Sequence, residues 1–129
     1  MIPKTNALPF RGGGRSQSWS DLEKRFAAVA QSDTSFAPMA DLVHYLRDSD
    51  YAKDGLHGDA RMTALLIGPS DDVDQNPHLR IEFDSDVASF RLLYQDGSSE
   101  PWQRVVGADT VVEAVDRFLV KRVRWYRAP

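Results

Sequence analysis

The sequence predicts an α+β fold: two N-terminal helices, an antiparallel meander of about four strands, and a long C-terminal helix packed on the sheet. Three observations predict it. Apolar residues recur at three- and four-residue spacing near both ends of the chain, and they alternate with polar residues in the middle. The alternating runs are consecutive, joined by turn residues rather than by helices.

Residues 1–17 read as a flexible tail ahead of a domain over 18–129. Pro3, Pro9 and Gly12-Gly13-Gly14 interrupt any period there. A helix is predicted from near Ser20. Ser20-Asp21-Leu22-Glu23 has the pattern of a capping box, in which serine and glutamate satisfy amides that the first turn leaves open. Trp19, Leu22, Phe26 and Val29 form its apolar face. A second helix is predicted over 36–48, with Pro38 in its first turn, where no intrahelical partner awaits the missing amide hydrogen. Phe36, Met39, Val43 and Leu46 share its stripe.

Residues 49–61 are polar, contain Gly55 and Gly58, and read as a loop. Met62 to Ile67 is apolar throughout and stops at Gly68-Pro69, which predicts a buried strand; 69–78 reads as an acidic loop. Leu79, Ile81 and Phe83 then alternate with Arg80, Glu82 and Asp84, as on a sheet with one buried face. Phe90, Leu92 and Tyr94 alternate in the next strand. Asp96-Gly97 predicts a tight hairpin with positive φ at both central residues, leading to a strand over 100–106 that carries Trp102. A last helix is predicted over 110–126 with Asp109 as its N-cap. Val111, Val115, Phe118 and Leu119 are its core face, extended by Val123 and Tyr126. Phe83, Phe90, Leu92 and Phe118 are expected to be buried where the sheet meets this helix.

A chain of 129 residues with 42% apolar and 27% charged residues has the composition of a globular domain. It has no cysteine, which excludes a disulfide framework, a thiolate zinc site and a cysteine nucleophile. No apolar run approaches the ~20 residues that span a bilayer, and no apolar stretch of ~7–15 residues follows Lys4, Arg11 and Arg15 as in a signal peptide. The expectation is a cytoplasmic protein with no membrane partner. The net charge of −3 hides a strong asymmetry. Residues 1–18 carry three bases and no acid, and residues 117–129 carry five bases and no acid. The middle holds all 19 acids against eight bases.

No motif names a reaction, a metal or a cofactor. Asp72, Asp74 and Asn76 imitate the start of a calcium loop, but its sixth position is Pro77 and its twelfth is Phe83, where glycine and a bidentate glutamate are required. His44, His57 and His78 form no metal-ligand pair. His57 lies in a polar loop, where a general base can sit. Gly12-Gly13-Gly14-Arg15-Ser16 lacks the lysine and the preceding strand of a phosphate loop. No serine-nucleophile elbow surrounds Ser98-Ser99, and carboxylates such as Asp84 and Asp86 are too common to be diagnostic.

Size, acidity and the helix-plus-meander pattern are similar to those of bacterial immunity and adaptor domains, at the level of fold class only, and no functional residue is carried over. The first reading is therefore a small non-enzymatic protein-binding domain, an inhibitor or adaptor whose acidic surface meets a basic partner. Its candidate residues are Asp48, Asp50, Asp54, Asp71, Asp72, Asp74, Glu82 and Asp84. The alternative is a nucleic-acid-binding accessory protein. It would use the N-terminal tail and the interleaved bases and aromatics Lys121, Arg122, Arg124, Trp125, Tyr126 and Arg127. An enzyme is the third reading. The two acid clusters, separated by one predicted strand, are expected at opposite ends of it.

Overall fold

The computed structural model describes residues 16–75 and 77–126. The glycine triplet, the first three bases, Asn76 and Arg127 lie outside them. Helix α1 spans Trp19–Ser32. A 3-10 turn, Thr34–Phe36, leads into α2, Ala37–Asp48, and a single turn, α3, covers Asp50–Lys53. Five strands follow among the described residues: β1 His57–Arg61, β2 Ala64–Gly68, β3 His78–Asp84, β4 Ser89–Gln95 and β5 Trp102–Gly107. Helix α4, Val111–Arg117, passes directly into a π-helical turn, Phe118–Arg122.

The strands lie side by side in chain order, all antiparallel, so the sheet is a meander. Register decides its two faces. Ala60, Leu65, Ile81, Leu92 and Arg104 align across one face, and Phe83, Phe90 and Val106 lie on the same side. That face and all three longer helices share one core, which includes Leu22, Phe26, Met39, Leu46, Ile67, Ile81, Phe90, Val115, Phe118 and Leu119. Each large side chain fully enclosed there contributes roughly 1.5–3 kcal/mol. Phe90, Leu92 and Phe118 are buried as expected. Phe83 is only partly buried, at the rim, edge-on to Phe36 at 5.7 Å.

The sheet has one strand more than the sequence suggested, because residues 57–61 are not loop. Their inward positions are Gly58 and Ala60, which carry no recognisable apolar alternation. The reason is crowding: a β-carbon on Gly58 would lie 2.8 Å from Leu22 Cδ1 and 3.1 Å from Trp19 Cη2. Small residues here let α1 sit directly on the edge strand, and the Trp19 indole N–H donates to Leu56 O at 2.9 Å. The run from Met62 also begins later than expected. Met62, at φ 58 and 84% exposed, is in the β1–β2 turn, and the strand starts at Ala64.

Other boundaries shift for local reasons. Helix α1 is capped by Ser18 rather than Ser20: the Asp21 N–H donates to Ser18 Oγ at 3.1 Å. The 1–17 tail ends earlier than read, since Gln17 pairs with Gly58 and its side-chain amide donates to Asp59 Oδ1 at 2.7 Å. Asp59, in the stretch read as a polar loop, is fully buried and paired with Arg61. Between β4 and β5 only Gly97 takes positive φ, so the connection is a longer loop and not the tight primed turn. The final helix is short. Thr110, not Asp109, precedes its first residue, and the helix stops at Arg122 instead of Tyr126. The Val123 N–H bonds back to Phe118 O, five residues earlier, and Arg124 turns left-handed at φ 56.

Candidate functional site

That reversal matters because it carries the chain across the end of α2. The outer side of α2, the short α3 and residues 125–126 enclose an open cleft of about 880 Å³. Asp41, Tyr45 and Asp48 follow one another at four- and three-residue spacing, so they stand on one side of α2, away from its core stripe. Ser49 joins α2 to α3. Its hydroxyl donates to Leu46 O at 2.6 Å and accepts from the Ala52 N–H at 3.4 Å. One serine thus ends one helix and starts the next, setting Asp48 and Asp50 on either side of the junction. Asp54 closes α3, and Gly55 at φ 99 turns the chain into β1.

The far wall is aromatic. Tyr126 packs on Tyr51 at 5.1 Å between ring centroids, while Trp125 stands edge-on to Tyr94 at 6.2 Å and to Phe118 at 6.4 Å. Tyr45 and Tyr51 both donate to Asp116 on α4, at 2.7 and 3.0 Å. Burial, and then the Asp116 carboxylate, hold the Tyr45 phenol far above its ordinary value and push Tyr51 up to about 12. Burial and the charge of Asp54 push Tyr126 up to about 12 as well. All three therefore present neutral hydroxyls at any ordinary pH.

Four carboxylates line this cleft, those of Asp41, Asp48, Asp50 and Asp54, against one base among the described residues, His44. Asp48 lies 3.2 Å from Arg47 Nη1 and 3.4 Å from His44 Nε2, and Asp50 lies 3.9 Å from Lys53 Nζ. His44 also bonds Glu23, and that hydrogen bond, with the charges of Asp48 and Glu23, raises its pKa. Asp41 and Asp54 have no ion pair among the described residues. The arrangement offers acceptors and aromatic faces together, which suits a cation with an apolar stem.

The structure thus brings Asp48, Asp50 and Asp54 together with Trp125 and Tyr126, residues that the sequence assigned to rival functions. The second acid cluster lies elsewhere. With β1 added, both acidic segments leave from the same end of the β1–β2 hairpin, not from opposite ends, since His57 pairs with Gly68. Even so, Asp71 accepts from Ser16 Oγ at 2.5 Å, Asp74 lies 3.7 Å from Arg61, and Asp72 is exposed. Glu82 is held between Arg80 at 2.7 Å and Arg91 at 2.5 Å, with its pKa lowered first by the Arg80 hydrogen bond. Its charge is offset, while Asp84 is exposed at the strand end.

Ser16, His57 and Asp71 meet in space, but in the wrong order for a nucleophile relay. The serine hydroxyl donates to the carboxylate, and the imidazole Nδ1 is 3.2 Å from the same oxygen rather than between the two. Among the described residues no group of three His, Asp or Glu side chains is placed to hold a metal, and no helix is long and apolar enough to cross a membrane. Asp41, Tyr45 and Tyr51 were not singled out in the sequence. The spacing of Asp41, Tyr45 and Asp48 was the signal available, and it lay on the side of α2 opposite the stripe. No family model matches the chain, and no curated protein or solved structure is significantly similar to it.

Proposed function

We propose that this chain is a non-enzymatic protein-binding domain, a neutralising or adaptor partner of a basic protein, whose cleft receives a lysine or arginine side chain. One observation carries the reading: the four carboxylates and the rings of Tyr45, Tyr51, Trp125 and Tyr126 line a single open cleft. A guanidinium or ammonium entering it meets carboxylates for charge-assisted hydrogen bonds and ring faces for cation–π contact. The excess of acids in the middle of the chain steers such a partner before contact.

The test begins with capture of the partner on the immobilised chain and its identification by mass spectrometry. Association of the purified pair is then timed. Replacing Asp41 and Asp54 by Asn, both exposed and without ion pairs among the described residues, is expected to slow association several-fold at low salt. The difference should shrink as salt shortens the screening length to about 8–10 Å. Replacing Asp72 by Asn, outside the cleft, should leave the rate unchanged. Wild-type association by the Asp41→Asn, Asp54→Asn chain at low salt would rule the cleft out as the docking site.

A further inference from the structure

Among the described residues, no cation of the C-terminal segment lines the acidic cleft with Trp125 and Tyr126. Lys121 and Arg122 line a separate pocket of about 400 Å³ with Arg117, Trp102 and Arg104. Three of these cations have an ordinary explanation, since Arg117, Lys121 and Arg122 sit in the last turns of a helix, where positive charge complements the helix dipole. Arg104 is not in that helix. It belongs to the edge strand β5 and pairs with Leu92, so it occupies a position on the helix-covered face, where the alternation calls for an apolar side chain. A charge there protects against edge-to-edge pairing, but neither that role nor the helix dipole requires all four cations to line one pocket.

Few carboxylates answer these charges. Arg104 and Lys121 have no hydrogen bond or ion pair among the described residues. Arg117 has only Glu113, at 3.6 Å and largely exposed. Arg122 lies 4.9 Å over the Trp102 ring, which also packs on Phe118 at 5.1 Å between ring centroids. Trp102 therefore serves as a platform that holds a guanidinium in place.

We infer that this pocket is an anion site for a compact phosphate-bearing ligand, of the phosphate monoester or pyrophosphate class. Guanidinium forks from Arg104, Arg117 and Arg122 match phosphate oxygens in pairs, and the Lys121 ammonium adds a point charge. The ligand is compact because the cationic wall is short. Glu113 stands at one side, and Asp96 is close enough to Arg122 to feel its charge. A long polyanion would run onto those carboxylates. The site is independent of the acidic cleft and does not rest on the reading given for it.

Pyrophosphate is the probe. Titration calorimetry on the full chain should show saturable binding at one site, and the indole N–H resonance of Trp102, assigned with Trp102→Phe, should shift as the site fills. Arg104→Gln and Lys121→Gln, both at exposed side chains, should each weaken binding by about tenfold, the scale of one lost charge-assisted contact. Lys24→Gln, an exposed cation on α1, should bind as the wild type does. The proposal is overturned by the absence of saturable binding, or by equal weakening in Lys24→Gln. It is also overturned if a short single-stranded oligonucleotide binds and pyrophosphate fails to displace it, which would make the pocket a nucleic-acid contact.

Discussion

Tyr45 donates its phenolic hydrogen to Asp116, 71 positions away, and its oxygen lies 2.7 and 2.8 Å from the two carboxylate oxygens. With Tyr51 on the same carboxylate at 3.0 Å, one side chain of α4 ties down both helical segments that form the floor of the cleft. Asp116→Ala is expected to cost ~1.5–3 kcal/mol in urea unfolding, the usual worth of hydrogen bonds to a charged group. A loss below ~0.5 kcal/mol would mean that the tyrosines take water instead. Burial of these phenols, first of all, and the carboxylates beside them give an alkaline signature. A phenol raised in the folded state keeps its proton when the unfolded chain has lost it. The stability it contributes is complete below pH 10 and is lost as pH rises through about 12 for Tyr51 and Tyr126. Absorbance titration of folded and urea-unfolded chains should show tyrosinate appearing later in the folded one.

Asp59 is buried without exposure and is answered by Arg61, by the Gln17 amide and by the Ala60 N–H at 2.9 Å. Removing a partner leaves a buried charge short of compensation. Arg61→Met is expected to cost ~3 kcal/mol and Gln17→Ala ~1.5 kcal/mol. The double variant should show coupling, since both act on one carboxylate. Strictly additive losses in chemical denaturation would show that the two contacts are independent.

Gly58→Ala should destabilise by ~1–3 kcal/mol, because the added methyl meets Leu22 and Trp19 at sub-contact distance. In a Leu22→Ala background the methyl gains room, and its cost should fall. Equal costs in both backgrounds would mean that the helix shifts away freely and that the close approach is not constrained.

His44 gives a pH signature at the cleft rim. Its pKa is raised from 6.5 by the Glu23 hydrogen bond, and that of Glu23 is lowered from 4.5 by the same bond. The histidine's contribution is fully present below pH 6.5 and lost as pH rises through its higher folded value. The glutamate's is present above 4.5 and lost as pH falls through its lower one. Thermal midpoints of wild type and His44→Gln should therefore differ most between those limits and converge at alkaline pH. A constant difference across the range would show that His44 acts through packing alone.

The helices and central strands were legible because their apolar residues keep a strict period over several turns or pleats, as in Leu22, Phe26 and Leu79, Ile81. Strand β1 was illegible for the opposite reason. Its inward residues were chosen for smallness under α1, so His57-Gly58-Asp59-Ala60-Arg61 has the composition of a loop. The missing strand also reversed the expected placement of the two acid clusters, since each added strand exchanges the ends of all that follow. The cleft was half legible. Its acids stood out by number, but their union with Trp125 and Tyr126 depends on where the last helix stops. An unbroken apolar period through Val123 and Tyr126 conceals that stop.

The five-residue hydrogen bond from Val123 to Phe118 makes the cleft a matter of counting as much as of chemistry. A π-helical turn is an α-helical turn carrying one surplus residue. Such a turn takes up its surplus within itself, whereas an extra residue in a regular turn rotates everything beyond it by about 100°. A residue added to α4 ahead of Phe118, with no wide turn to absorb it, would therefore swing Trp125 and Tyr126 away from Tyr94 and Tyr51. The wall of the cleft thus depends on where along the helix a residue is gained, whatever that residue is.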